Sequence, residues 1–442
     1  MIRTSEQTQL TFLRPLQLAL ASAVIFFGII SRPRIAIALT SDRLIIPIDY
    51  RSLSLSIADF LFLTFILLTL LRLIVDDGFR TRLMATGTRV LQGLGGFWWL
   101  LLALWIMPGI IWALEPAAIR FEFLHVLLCL ALALTIAEVA GTPDDRYLLL
   151  ALIAGAGIQA VIAILQSLNN DPLGLDFIGE IERFYYEPRS YYRAPGLAMH
   201  SNYLGGYLML GLFACAVMLY QQWRHKGTLL PFLAVGLLIG VGMMATLSRS
   251  AIVGTAAGFA PVVLVVMLNL RPRLRLIAFS GLFIAVVGAG IVGFTALGSI
   301  ENVQQRLFSG REFFFEFGWE LIEERPVTGV GADNYMLEVW EDRYAAQQHI
   351  LPVHNAYLFV WAELGIVGMG LFIAGCLWAL WCALPPRLSS RFIWGCAFLA
   401  VCVVMLFDNY FWAVQPFRVL FFWVLGLLWV YTVSETDVEQ PA

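Results

Sequence analysis

The chain alternates long apolar runs with short polar joints, and one joint is far longer than the rest. The runs lie near 13–30, 57–75, 93–113, 121–140, 147–167, 197–220, 229–247, 250–270, 276–298, 355–381, 392–407 and 417–433. A helix needs about 20 apolar residues to cross a bilayer. The first run, the short eleventh, and the seventh and eighth, parted only by Leu247-Ser248-Arg249-Ser250, fit least tightly. None alternates in polarity as the strands of a barrel would, so the runs read as helices. The pattern predicts an all-α integral membrane protein with about twelve transmembrane helices. Residues 1–442 form a single polytopic domain in this reading, with 299–354 as a long loop inserted between spans.

Composition agrees. Hydrophobic residues make up 60% of the chain and charged ones 13%, with a mean hydropathy of +0.80. Those values exclude an ordinary soluble protein. The first residues, MIRTSEQTQLTFLR, do not read as a cleavable signal, because the run after them lacks a small-residue cleavage site. The six cysteines lie in or beside apolar runs, without zinc spacing, and read as small buried hydrophobes.

Charge sets the orientation. The connections at 76–92, 221–228, 271–275 and 384–391 carry Arg80, Arg82, Arg89, Arg224, Lys226, Arg271, Arg273, Arg275, Arg387 and Arg391, and the positive-inside rule makes them cytoplasmic. Arg32, Arg34, Arg43 and Arg51, on the opposite side, run against that signal. The segment 168–196, the turn at Arg249 and the loop 299–354 then share the outer face.

That face holds the candidate chemistry. Arg193 precedes a span, and His200 and Asn202 fall within its first turns. Polar groups in lipid are costly and usually face a cavity or a partner. A plainer reading has Arg193 reaching a headgroup and His200 capping the helix. Arg249 stands between two apolar runs with almost no loop to hold it in water. A guanidinium there suits bidentate phosphate binding, against the alternative of a salt bridge or tight turn. Arg311 opens an apolar–acidic stretch ending at Glu324, in which Phe314, Phe317, Trp319 and Leu321 form one side of an interfacial helix stopped by Pro326. Gly329-Val330-Gly331 is a tight turn, not a nucleotide fingerprint, and a short helix follows from Asn334 to Tyr344. The loop ends at His354-Asn355, where a histidine can serve as general base or as a helix cap. Glu363, two turns deeper, suits a polar network rather than a pair with His354. Asp333, Asp342 and Asp408 look scattered, with no paired-aspartate motif on the outer face.

Together these segments resemble the O-antigen ligase and polymerase superfamily of bacterial envelope glycosyltransferases. The resemblance rests on Arg193-Ala194-Pro195-Gly196 followed by His200-Ser201-Asn202, and on Leu247-Ser248-Arg249-Ser250. It continues in Arg311 with the Arg325-Pro326-Val327-Thr328-Gly329-Val330-Gly331 turn, and in His354-Asn355 with Tyr357, Leu358, Glu363, Gly365 and Gly368. It covers mostly 147–381, and Ser201 departs from the proline common there in the family. The resemblance implies a GT-C-like membrane fold in the bacterial inner membrane with a periplasmic active face. It implies an undecaprenyl-diphosphate-linked glycan donor and a lipid A-core or glycan acceptor, and neither a cofactor nor nucleic acid. It further implies that Arg193 and Arg249 hold the diphosphate and that His354 activates or positions the acceptor. Arg311, His200, Asn202, Asn355 and Tyr357 contribute to substrate binding in this reading.

Diphosphate is already a good leaving group, so fixed arginines stabilise the developing charge and strong acid catalysis is not required. In-line attack predicts inversion, and the scattered aspartates favour a metal-independent route. A ligase, a polymerase joining lipid-linked repeats and an O-linked protein oligosaccharyltransferase all need the same diphosphate site, with ligase narrowly preferred. A membrane transporter is the non-enzyme alternative. It would place ionisable groups near mid-membrane, whereas most here lie at the outer edge.

Overall fold

The computed structural model describes residues 13–30, 35–38, 52–140, 144–182, 192–269, 311–343, 352–384 and 387–438. The elements are α1 (Leu13–Phe27), β1 (Ile35–Ala38), β2 (Ser52–Leu55), α2 (Ile57–Val75), α3 (Asp77–Gly93), α4 (Gly96–Ile106), α5 (Pro116–Val139), α6 (Asp145–Asn169), α7 (Ser201–Arg224), α8 (Leu230–Ala245) and α9 (Arg249–Leu268). Then come α10 (Arg311–Glu324), α11 (Tyr335–Arg343), α12 (Ala356–Ala383), α13 (Ser390–Val404), α14 (Tyr410–Ala413) and α15 (Gln415–Val438). The helical expectation holds in the apolar runs that the structure describes. The addition to it is one short antiparallel pair, β1 with β2, in register Ile35 to Leu55.

Seven of the described helices are long and apolar enough to cross a membrane, or eight if α3 and the α4 segment through Ile111, bent by 88°, count as one span. The helices α1, α8 and α13 are apolar but shorter. Each expected run outside 276–298 coincides with a helix, and 276–298 lies outside the described residues. The helix starts are written in the sequence. Ser56 and Asp59 form a capping box on α2, Asp76 caps α3, and Ser248 caps α9.

Small residues let the spans approach closely. A Cβ on Gly211 of α7 would lie 2.5 Å from Ala156 of α6, and one on Gly426 of α15 2.8 Å from Ala133 of α5. Large aromatics fill the centre. Trp99 of α4 meets Phe372 of α12 and Phe421 of α15 edge-on, at 5.5 and 5.3 Å between centroids.

The helix α12 is broken. Gly365 takes φ 69° and ψ −178° inside it. The Pro326–Gly331 turn fills the gap: Val330 N donates to Ala362 O (2.9 Å), Gly331 N to Glu363 O (2.8 Å), and Ile366 N to Pro326 O (2.9 Å). Backbone freed by a break at membrane depth needs such partners. A Cβ on Gly365 would sit 1.9 Å from Val327 O, so glycine is required there by space as well as by φ.

Candidate functional site

Several candidate residues gather at one end of the bundle, where α7, α9 and α12 begin and α13 ends. His200 is the N-cap of α7, its Nδ1 accepting from Asn202 N at 3.1 Å. Asn355 is the N-cap of α12, accepting from Tyr357 N and Leu358 N at 3.0 Å each. The cap role considered for His354 therefore falls to its neighbour, and His354 stands one residue outside the helix.

From there a continuous polar chain crosses the bundle. His354 Nδ1 lies 3.4 Å from Asp408 Oδ1. The other carboxylate oxygen of Asp408 accepts from Asn202 Nδ2 at 2.7 Å. Asn202 Oδ1 accepts from Arg193 Nη2 at 2.6 Å. Asp408 also accepts from Asn409 N at 3.0 Å, and Asn409 Nδ2 donates to Val353 O at 2.8 Å, which ties the carboxylate to the residue before His354. Asp408 and Asn202 are buried, while 23% of the His354 side chain is exposed. The chain thus has a sealed centre and partly exposed ends at His354 and Arg193. With Nδ1 turned to the carboxylate, Nε2 is the histidine nitrogen directed away from it. The 3.4 Å separation is long for a hydrogen bond.

Arg249 opens α9 and is exposed. Its neighbour Ser248 packs on the second turn of α7, where a Cβ on Gly205 would lie 2.6 Å from Ser248 Cβ. Ala194 N donates to Ala245 O at 3.2 Å, joining the Arg193 segment to the end of α8. Both arginines therefore flank the start of α7.

Not every candidate faces this chain. Asn355 Nδ2 donates to Leu406 O (3.0 Å) and Tyr357 OH to Cys402 O (2.9 Å), so these two groups tie the start of α12 to the end of α13 and the residues just after it. Arg311 opens α10, and its side chain lies outside the described residues. Phe314 meets the His354 ring edge-on at 5.9 Å. The buried face of α10 is Phe317, Leu321 and Ile322, whereas Trp319, expected on that face, is 48% exposed and turns toward Trp361.

Asp408 is the residue that sequence reasoning missed. It looks scattered in the sequence, yet it links His354 to Asn202. The signal was available: it ends the run at 392–407, and counting spans puts that end on the same face as His354.

A second polar cluster lies beneath the Pro326–Gly331 turn. Arg418 of α15 pairs with Glu122 of α5. Its Nη1 lies 3.2 Å from His125 Nδ1, and its Nε donates to Trp412 O at 2.7 Å. A cavity of about 10 Å³, lined by Asp333, Met336, Phe359, Glu363, Ala413 and Arg418, adjoins it. Loss of hydration, with the nearby Glu122 charge, pushes the Asp333 carboxyl up to about 7. Glu363 Oε1 accepts from Tyr335 N at 3.5 Å, so Glu363 serves this network and not His354.

Residues 234–373 match the family model described as O-antigen ligase. The match runs from α8 into α12 and includes Arg249, His354 and the break at Gly365. No curated protein matches the chain.

Proposed function

We propose that this multi-pass membrane protein, which matches the O-antigen ligase family model over residues 234–373, transfers a glycan from undecaprenyl diphosphate to an acceptor hydroxyl at the periplasmic face of the bacterial inner membrane. The observation that carries the reading is the Arg193–Asn202–Asp408–His354 chain. It brings a cation, a carboxylate and an imidazole, distant in sequence, to one end of the bundle.

The roles follow from the chemistry. Arg193 and Arg249 hold the diphosphate and stabilise the charge that builds on the bridging oxygen as the anomeric carbon is displaced. Asp408 faces Nδ1 and orients the imidazole. His354 Nε2 accepts the proton of the attacking hydroxyl. His200 and Asn202 shape the floor of the site. Asn355 and Tyr357 act through the placement of α12, and Arg311 adds positive charge. The displacement inverts the anomeric centre and proceeds without a metal ion. The acceptor is lipid A-core in the ligase reading. A polymerase or an O-linked protein oligosaccharyltransferase would use the same donor site.

Arg249→Ala and His354→Ala are expected to abolish transfer in detergent without loss of expression, and EDTA is expected to leave wild-type turnover intact. Wild-type activity in either variant would remove the assigned role. Deletion in the cell separates the acceptors. Lipid-linked polymer accumulates if the protein is a ligase, and single lipid-linked repeats accumulate if it is a polymerase.

A further inference from the structure

The segment that carries Arg193 is neither helix nor strand, yet it lies within the bundle. Tyr192, Ala194, Leu197 and Ala198 around it are buried. Irregular backbone in such a place must be given hydrogen-bond partners. They come from α6. Gln166 Oε1 accepts from Gly196 N at 2.8 Å, and its Nε2 donates to Gly196 O at 3.0 Å. Gln159, two turns earlier on the same face, accepts from Leu197 N at 3.0 Å. Gln166 Nε2 also donates to Glu180 Oε1 at 2.6 Å. Glu180 in turn accepts from Leu173 N and Leu175 N, at 2.8 and 2.6 Å.

Gln166 is 0% exposed, Gln159 3% and Glu180 4%, so solvent cannot replace these bonds. Polar side chains inside a membrane helix are costly and need a reason to be there. The fit is close: Gly196 has φ +59°, and a Cβ on it would lie 2.5 Å from Gln159 Oε1. Two side-chain amides thus grip the backbone three and four residues after Arg193. The bond from Ala194 N to Ala245 O secures the near side.

We propose that Gln166, supported by Gln159 and Glu180, is a positioning residue for Arg193, fixing the guanidinium where charge develops on the diphosphate leaving group. The inference rests on the functional reading above. Gln166→Leu roughly keeps the volume but removes both bonds to Gly196. A misplacement of about 1 Å in such a group costs on the order of 10²-fold in rate. The loss should fall on kcat, with the acceptor KM little changed.

The test uses the full-length protein in detergent, with an undecaprenyl-diphosphate-linked oligosaccharide as donor and lipid A-core as acceptor. Gln166→Leu is expected to lower kcat roughly 10²-fold at near-constant acceptor KM. Gln166→Glu places a second carboxyl against Glu180. A proton shared between the two carboxyls restores the bond to Glu180 at low pH, though not the one to Gly196 O, and ionisation of both groups breaks it at high pH. Its activity relative to wild type at the same pH should therefore rise as pH falls. A wild-type kcat in Gln166→Leu, beside an inactive Arg193→Ala, overturns the positioning role and leaves the functional reading standing. If Gln166→Leu does not fold, a flat relative pH profile for Gln166→Glu overturns it equally. Full activity of Arg193→Ala removes the functional reading, and the positioning role falls with it.

Discussion

Two of the polar clusters among the described residues differ in how their groups are used. Beneath the Pro326–Gly331 turn, Arg418 is paired with Glu122, bonded to Trp412 O and 5.1 Å from the Trp412 ring centroid, with 4% of its side chain exposed. Around Asp408 the centre is equally sealed, but His354 keeps a reachable side chain and Arg249 is exposed at a helix start. A charge whose partners are all internal serves the fold. A charge whose side chain reaches the surface can also meet a ligand. On the proposed function, the Arg418 cluster serves the fold beside the broken α12 and the Asp408 chain serves chemistry.

Substitutions can break that contrast. Arg418→Ala leaves Glu122 buried without its cation, a change that typically costs about 3–5 kcal/mol. The expected result is a large fall in melting temperature and in yield, whereas His354→Ala should leave both near wild type. Equal melting of the two variants would erase the distinction. Asp408→Asn is next. It keeps the shape but removes the charge that steadies the imidazole, so transfer should fall by roughly 10²-fold or more while the protein stays folded. An unchanged rate would make Asp408 a structural residue like Arg418.

The smallest effect sharpens the account of the loop. The folded pKa of Asp333, about 7, is raised above its ordinary value of 3.8. The protonated carboxyl therefore favours the folded state. That contribution is present in full below about 3.8 and is lost as pH rises through about 7. Asp333→Asn should remove this part of the decline in melting temperature between those values. An identical pH profile in variant and wild type would show that Asp333 is not held as described.

Much of this was legible in the chain. Apolar runs marked the helices, because lipid requires about 20 apolar residues in each span. Arg193, Arg249 and His354 stood out because charge at the edge of such a run needs a reason. The break at Gly365 was not legible, since a glycine inside an apolar run has the same hydropathy whether the helix continues or parts. Its partner, the Pro326–Gly331 turn, read as an ordinary turn for the same reason: pairing across distant segments leaves no local period. Asp408 was hidden by its isolation in sequence, for its role comes from Asn202 and His354, which only packing brings to it. The glutamines of α6 were hidden too, because two amides in a long apolar run barely change its hydropathy.

The most direct measurement is the structure of the protein with undecaprenyl diphosphate bound. The account predicts the diphosphate within hydrogen-bond reach of Arg193 and Arg249, beside the exposed edge of His354. Diphosphate seated elsewhere, with Arg193 and Arg249 making no contact to it, would contradict it.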